Sequence, residues 1–302
     1  METWLPSPPP PPQKPRSGRR TLILWVVLLV FFIALYNLFQ PSGPTRPDRL
    51  AEPATIGFGW WAMIAAGLVG AALPAALLWW QFSRGRSFNA LQAPALEQLG
   101  DGNYARAADM FGEVARSFRG RLNYHAVAAF NQGYALVRAG DSAAAAGVLI
   151  GVERTPSLGT SGVRELAAFE LARAFAIGGD VDKAAVWIAA SRDRMGVVDQ
   201  QMNRARFHAV EVLVLCRQAK LTEALALCER EWARLETYLP IRQMRELCLL
   251  RAFALASTSS PREAGAADAW LRWHQGMPAG SLAWMYPHWP ELAAFAASKG
   301  LA

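Results

Sequence analysis

Thiols and imidazoles are the side chains through which this chain would do covalent or metal chemistry, and it has three cysteines and four histidines. Cys216, Cys228 and Cys248 are odd in number, widely spaced and free of any C-x-x-C pair, so neither a metal site nor a disulfide framework is implied. They read as buried free thiols in a reducing compartment. His125 and His208 fall in helical patterns, and no spacing links either to Cys216 as base to nucleophile. His274 and His288 lack acidic or cysteine companions at ligand spacing. Gly159 to Gly162 reads GTSG, superficially an anion-binding turn, but it lies where a loop between periodic segments is expected. No phosphate-cradling glycine loop, G-x-S-x-G elbow, H-E-x-x-H or apolar carboxylate pair occurs. The expectation is therefore a chain that is not an enzyme, with no catalytic residues, cofactor or metal, whose work is recognition.

Composition locates the elements that must do that work. The 302 residues have room for two ordinary domains, and 53% hydrophobic content exceeds what a soluble protein needs. Up to Arg86 there are 8 Lys or Arg against 3 Asp or Glu, which leaves 23 and 21 for the rest. The basic excess is thus concentrated beside the apolar segments, and no nucleic-acid partner is expected.

Residues 1–20 form a Pro-rich, basic terminus that should be disordered, with Pro8 to Pro12 as a short polyproline II rod. Residues 21–39 are the first expected transmembrane helix. Leu22 to Phe39 carries no charge over 18 residues, about 27 Å as a helix. The apolar run exceeds a signal-peptide core and no A-x-A-like cleavage site follows, which favours an anchor. Residues 40–55 are a short loop and 56–82 a second span, bracketed by Trp60-Trp61 and Trp79-Trp80 at the spacing of two membrane interfaces. Ala66, Gly67, Gly70 and Ala71 would let the two helices approach closely. Lys14, Arg16, Arg19 and Arg20 precede the hairpin and Arg84 and Arg86 follow it, against Arg46 and Arg49 within. Counting basic residues places both termini in the cytoplasm, with the bilayer, of bacterial inner-membrane type, contacted through residues 21–82.

Behind the hairpin a pattern recurs. Gly102, Gly140, Gly179, Ala219 and Ser259 stand at intervals of 38, 39, 40 and 40 residues, and five positions after each comes Ala107, Ala145, Ala184, Ala224 and Ala264. Seven before each turn stand Ala95, Gly133, Ala172, Val212 and Ala252, and nine after come Phe111, Leu149, Ile188, Cys228 and Asp268. Small residues on facing helices allow close packing, and each helix pair alone is too small to bury its apolar face. Asn103, Asp141, Asp180 and Ser260, just after the turns, are suitable N-caps.

The pattern resembles the tetratricopeptide repeat family over about Phe88 to Gln275. GNYARAADMF at Gly102 to Phe111 matches best, GDVDKAAVWI at Gly179 to Ile188 comes next, and Pro156 sits near the family's helix-ending proline. It departs in its longer repeat, in lacking an early tryptophan and in the polar Asp268. The fold expected is all-α: an N-terminal two-helix transmembrane hairpin, then a tetratricopeptide-like α-solenoid of about five helix pairs over 88–275. In that family the first helices line a concave face that holds partner peptides. On that geometry the resemblance implies a groove of Phe130, Tyr134, Arg138, Phe169, Arg173, Arg206, Leu213 and Arg217, suited to an acidic peptide or a free C-terminus; the competing reading makes Phe130 and Phe169 intra-repeat core and the arginines a solvated face.

Residues 276–302 are expected to cap the stack, their tryptophans sealing its last pair; a second binding patch there and contact with the membrane surface are the other readings. The functional expectation is a membrane-anchored scaffold or adaptor that gathers protein partners. An accessory subunit of a membrane transport or secretion complex is the alternative.

Overall fold

In the computed structural model of the chain, the described residues are Ala76, Trp79, 85–155, 162–195, 201–258, 261–278 and 280–301. The expected terminus 1–20, spans 21–39 and 56–82 and loop 40–55 lie outside them, apart from helical Ala76 and Trp79, as does Pro156. Among the described residues no helix is long and apolar enough to cross a membrane. Contacts divide the chain into two compact units, and nearly all described residues belong to the unit containing Phe88–Ala302.

The described residues are all-α, with eleven α-helices, two single-turn 3-10 segments and no strand. Helix α1 is described over 85–101. There follow α2 (Tyr104–Ser117), α3 (Leu122–Arg138), α4 (Ser142–Glu153), α5 (Val163–Ile177), α6 (Val181–Met195) and α7 (Gln201–Arg217). Then come α8 (Leu221–Tyr238), α9 (Ile241–Ser257), α10 (Pro261–Leu271) and, after 3-10 turns at Arg272–His274 and Ala283–Met285, α11 (Pro290–Ser298).

One turn geometry sets the register. Gly102, Gly140 and Gly179 have φ of 86°, 86° and 89°, and Ala219, in the same place, has 58°. After each, the next N–H donates to the carbonyl five residues earlier: Asn103 to Gln98 at 2.9 Å, Asp141 to Leu136 at 3.0 Å, Asp180 to Phe175 at 2.9 Å and Lys220 to Leu215 at 3.0 Å. This closes the first helix of each pair with a left-handed residue and satisfies carbonyls that would otherwise lack partners. Asp141 and Asp180 then cap the second helix through Ala144 N and Lys183 N. Asn103 instead donates its side-chain amide to Gln98 Oε1, so the expected cap is not made there.

The alanine register follows. Ala107, Ala145, Ala184 and Ala224 are all buried, as are Ala95, Ala172, Val212 and Ala252, each seven residues before a turn. At Gly133 an added Cβ would sit 2.5 Å from Leu149 Cγ, so this crossing of α3 and α4 admits no side chain at all. The fifth repeat departs as its polar residue implies: Asp268 is exposed and holds Lys299 Nζ at 2.6 Å. Ser259 and the side chain of Ala264 lie outside the described residues.

From α3 to α9, each second helix packs on the first helix of its own pair and on that of the next, and successive first helices pack on one another. Helix α9 also meets much earlier segments, Arg242 Nη1 donating to Leu99 O at 2.7 Å and Gln243 Nε2 to the Tyr134 hydroxyl at 3.2 Å.

Two substitutions test this account by thermal unfolding of the purified chain. Ala219→Gly should stabilise by about 0.5–1 kcal/mol, because an L residue in the left-handed region costs about 1–2 kcal/mol and glycine's extra unfolded-state freedom takes back part of that. Gly133→Ala should destabilise by about 1–3 kcal/mol through overpacking against Leu149.

Candidate functional site

The first-helix face is where the tetratricopeptide resemblance led recognition to be expected, and its chemistry centres on one carboxylate. Glu246, on α9, is 5% exposed. It accepts from Arg138 Nη2 of α3 at 3.0 Å and 3.4 Å, and from Arg173 Nη1 of α5 at 2.5 Å. Arg173 Nε lies 3.1 Å from Glu170, one turn earlier. Both guanidiniums are buried, at 4% and 3% exposure. Arg138 also stacks over Tyr134, its Cζ 3.7 Å from the ring centroid. Burial is the largest single influence and works against the Arg138 charge, but Glu246, Tyr134, Glu170 and Tyr104 together outweigh it and raise the pKa above the ordinary arginine value. Two arginines facing two glutamates make the cluster neutral, which is how four charges are tolerated in a packed interior.

The eight groove residues therefore separate. Arg138 and Arg173 do grip a carboxylate, but it belongs to the same chain. Phe169 is fully buried edge-on to Phe207, with ring centroids 6.5 Å apart, and Leu213 and Phe130 are core residues. Tyr134 accepts from Gln243, and Arg206 is half-buried on α7. Arg217 donates to the His288 carbonyl at 2.8 Å and stacks over Trp289 at 4.9 Å; partial burial lowers its pKa.

Residues the sequence reading did not assign to this face complete it. Besides Glu246, Glu170 and Gln243 these are Trp284, His288 and Trp289 of the C-terminal segment. Trp284 lies 5.2 Å from Arg138, and an added Cβ on Gly179 would meet His288 Cβ at 3.2 Å. Trp289 and Phe295 stand edge-on to Phe253 of α9 at 5.4 Å and 5.8 Å. The tail thus packs on Phe253 of α9 and also reaches Arg138 of α3 and Arg217 of α7. A signal for Glu246 was present: Gln243, Glu246, Leu247, Leu250 and Phe253 share one helical stripe, in which a carboxylate among apolar residues requires a partner.

Elsewhere, Glu153 is fully buried and paired with Arg194 at 2.9 Å and Arg164 at 3.5 Å, tying α4 to α5 and α6. Arg251 stacks over Trp270 at 3.9 Å and Trp232 at 4.9 Å. His125 Nδ1 is bonded to the Ala115 carbonyl at 2.8 Å, and His208 lies between Glu211 and Glu231. Burial pushes the Cys216 thiol far up, Cys228 up to about 11 and Cys248 up to about 12. These thiols therefore stay protonated near neutrality. Among the described residues no three His, Cys, Asp or Glu side chains are grouped to hold a metal ion.

No family model matches the chain, and neither a curated protein nor a solved structure does.

Glu246→Ala leaves two buried guanidiniums facing one carboxylate and should lower stability by about 3–5 kcal/mol in denaturant unfolding. A pH series gives a second check. His274 is buried, and burial, aided by the Arg245 charge, holds its pKa below 6.5. The unfolded state then binds the proton more readily, so this contribution is complete above pH of about 6.5 and is lost as pH falls through the lowered folded value. Glu211 also has a lowered pKa, because hydrogen bonds from His208 and Arg192 outweigh its burial, and its contribution is lost only below its ordinary 4.5. His274→Gln should therefore flatten the fall of the melting temperature between pH 7 and 5.5 and leave the steeper loss below pH 4.5 intact.

Proposed function

We propose that the chain is a non-catalytic, protein-binding module of the tetratricopeptide-like solenoid type, tethered by residues 21–39 and 56–82 to a bacterial-type inner membrane with both termini cytoplasmic. Its work is to gather protein partners at the membrane surface. The observation that supports this best is the repetition of one device: four turns in the same left-handed geometry, each followed five residues later by a buried alanine. Stacked pairs of this kind present a long, shaped surface while the interior supplies stability.

The pairing of Arg138 and Arg173 with Glu246 changes how an acidic partner is sought. Reversing those two charges would unpair Glu246 and report on folding, whereas Arg206 and Arg217 are the face's less buried arginines. In-cell crosslinking followed by identification of captured proteins tests the reading. The same protein set should be recovered when the hairpin is exchanged for an unrelated two-span anchor. Loss of that set on exchange would instead favour a subunit whose hairpin makes the essential contacts, and recovery of nothing beyond background from either chain would end the adaptor reading.

A further inference from the structure

We propose that residues 280–301 are an intramolecular ligand of the first-helix face, and that this face accepts in their place a partner segment of the same chemistry. That chemistry is two tryptophans five residues apart, with proline between them and a main-chain carbonyl just before the second. The inference rests on the interaction-module reading and names the class of partner.

Three features distinguish the segment from a simple end cap. It meets the face through the arginine left for a guest: Trp289 stacks over Arg217 and the His288 carbonyl accepts from Arg217 Nη1 at 2.8 Å, while Trp284 lies 5.2 Å from the internally paired Arg138. A main-chain carbonyl gripped by an arginine that also stacks on a ring combines a charge-assisted hydrogen bond with a cation–π contact. The segment also closes upon itself, Gly280 N donating to Leu301 O at 3.2 Å, so its two ends are joined. Finally, it is attached through exposed Gln275, Gly276 and Pro278, with Gly276 in a left-handed turn at φ of 76°.

Its buried surface is large, with Trp284, Met285, Trp289 and Leu292 all inside. Spontaneous release is therefore rare, and the proposed event is exchange, in which a guest supplies equivalent contacts as the tail departs. The short tether gives the tail an effective concentration of ~mM, so a free guest of equal affinity does not displace it at micromolar levels. The face then responds only to a tighter or locally concentrated partner.

The test uses the full chain and a fluorescent peptide of sequence 280–302. The native chain should bind the peptide at least ~100-fold more weakly than a Trp284→Ala/Trp289→Ala chain, given the intramolecular competition. Adding Arg217→Ala to that chain should weaken peptide binding again, and a peptide lacking both tryptophans should not bind. Because the double variant is vulnerable to unfolding, a second arm inserts a protease site after Gly276 in the otherwise native chain and cuts it once folded. The cut tail should exchange with labelled peptide over hours. A tail that does not exchange, or a cut chain that unfolds, overturns the proposal and makes the segment ordinary core. So does a folded double variant without affinity for the peptide. The adaptor reading fails separately, if the tail exchanges in vitro while in-cell crosslinking captures nothing.

Discussion

One buried carboxylate joins helices that the chain order keeps far apart. Glu246 of α9 is clasped by Arg138, 108 residues earlier, and by Arg173, 73 residues earlier, so the fifth helix pair is bound to the second and third as well as to its neighbour. Such a cluster is stable only as a whole. With every charge matched it costs little relative to an apolar core, while removal of one member leaves a charge in a medium that cannot solvate it. The local contacts that build each pair say nothing about this long closure. The ion cluster and the Gln243–Tyr134 and Arg242–Leu99 bonds beside it select one arrangement of the stack.

That closure reshapes the functional question. An arginine-rich face on stacked helix pairs invites an acidic guest, but here the acid is internal and the rings are core. What remains at the face is Arg217 and half-buried Arg206, with the tryptophan-bearing tail laid over the first of these. If the proposed exchange holds, recognition through this surface is a competition between a tethered segment and an incoming one, governed by effective concentration and exchange rate.

Legibility followed the range of the interactions. The turn at Gly140 is a matter of six residues: a left-handed glycine, a carbonyl five before its successor and an aspartate ready to cap the next helix. Each is visible in a short window, as is the alanine that must face a small residue across the pair. Ala219 shows the same rule by exception, since it occupies the glycine position with a strained φ of 58° and keeps the turn. Asp268 was legible as a break in the pattern, though its partner Lys299 was not.

The sequence by itself determined the all-helical class, the pair period near 39 residues, the turns and the small-residue seams, because these depend on backbone conformation and on contacts within one hairpin. Only the tertiary structure decided that Arg138 and Arg173 share Glu246, that Phe130 and Phe169 are interior, and that the tail crosses to Arg217. Those outcomes depend on how small rotations between successive pairs accumulate. No window of residues encodes that sum, since each crossing angle is set by side-chain volumes at every interface before it.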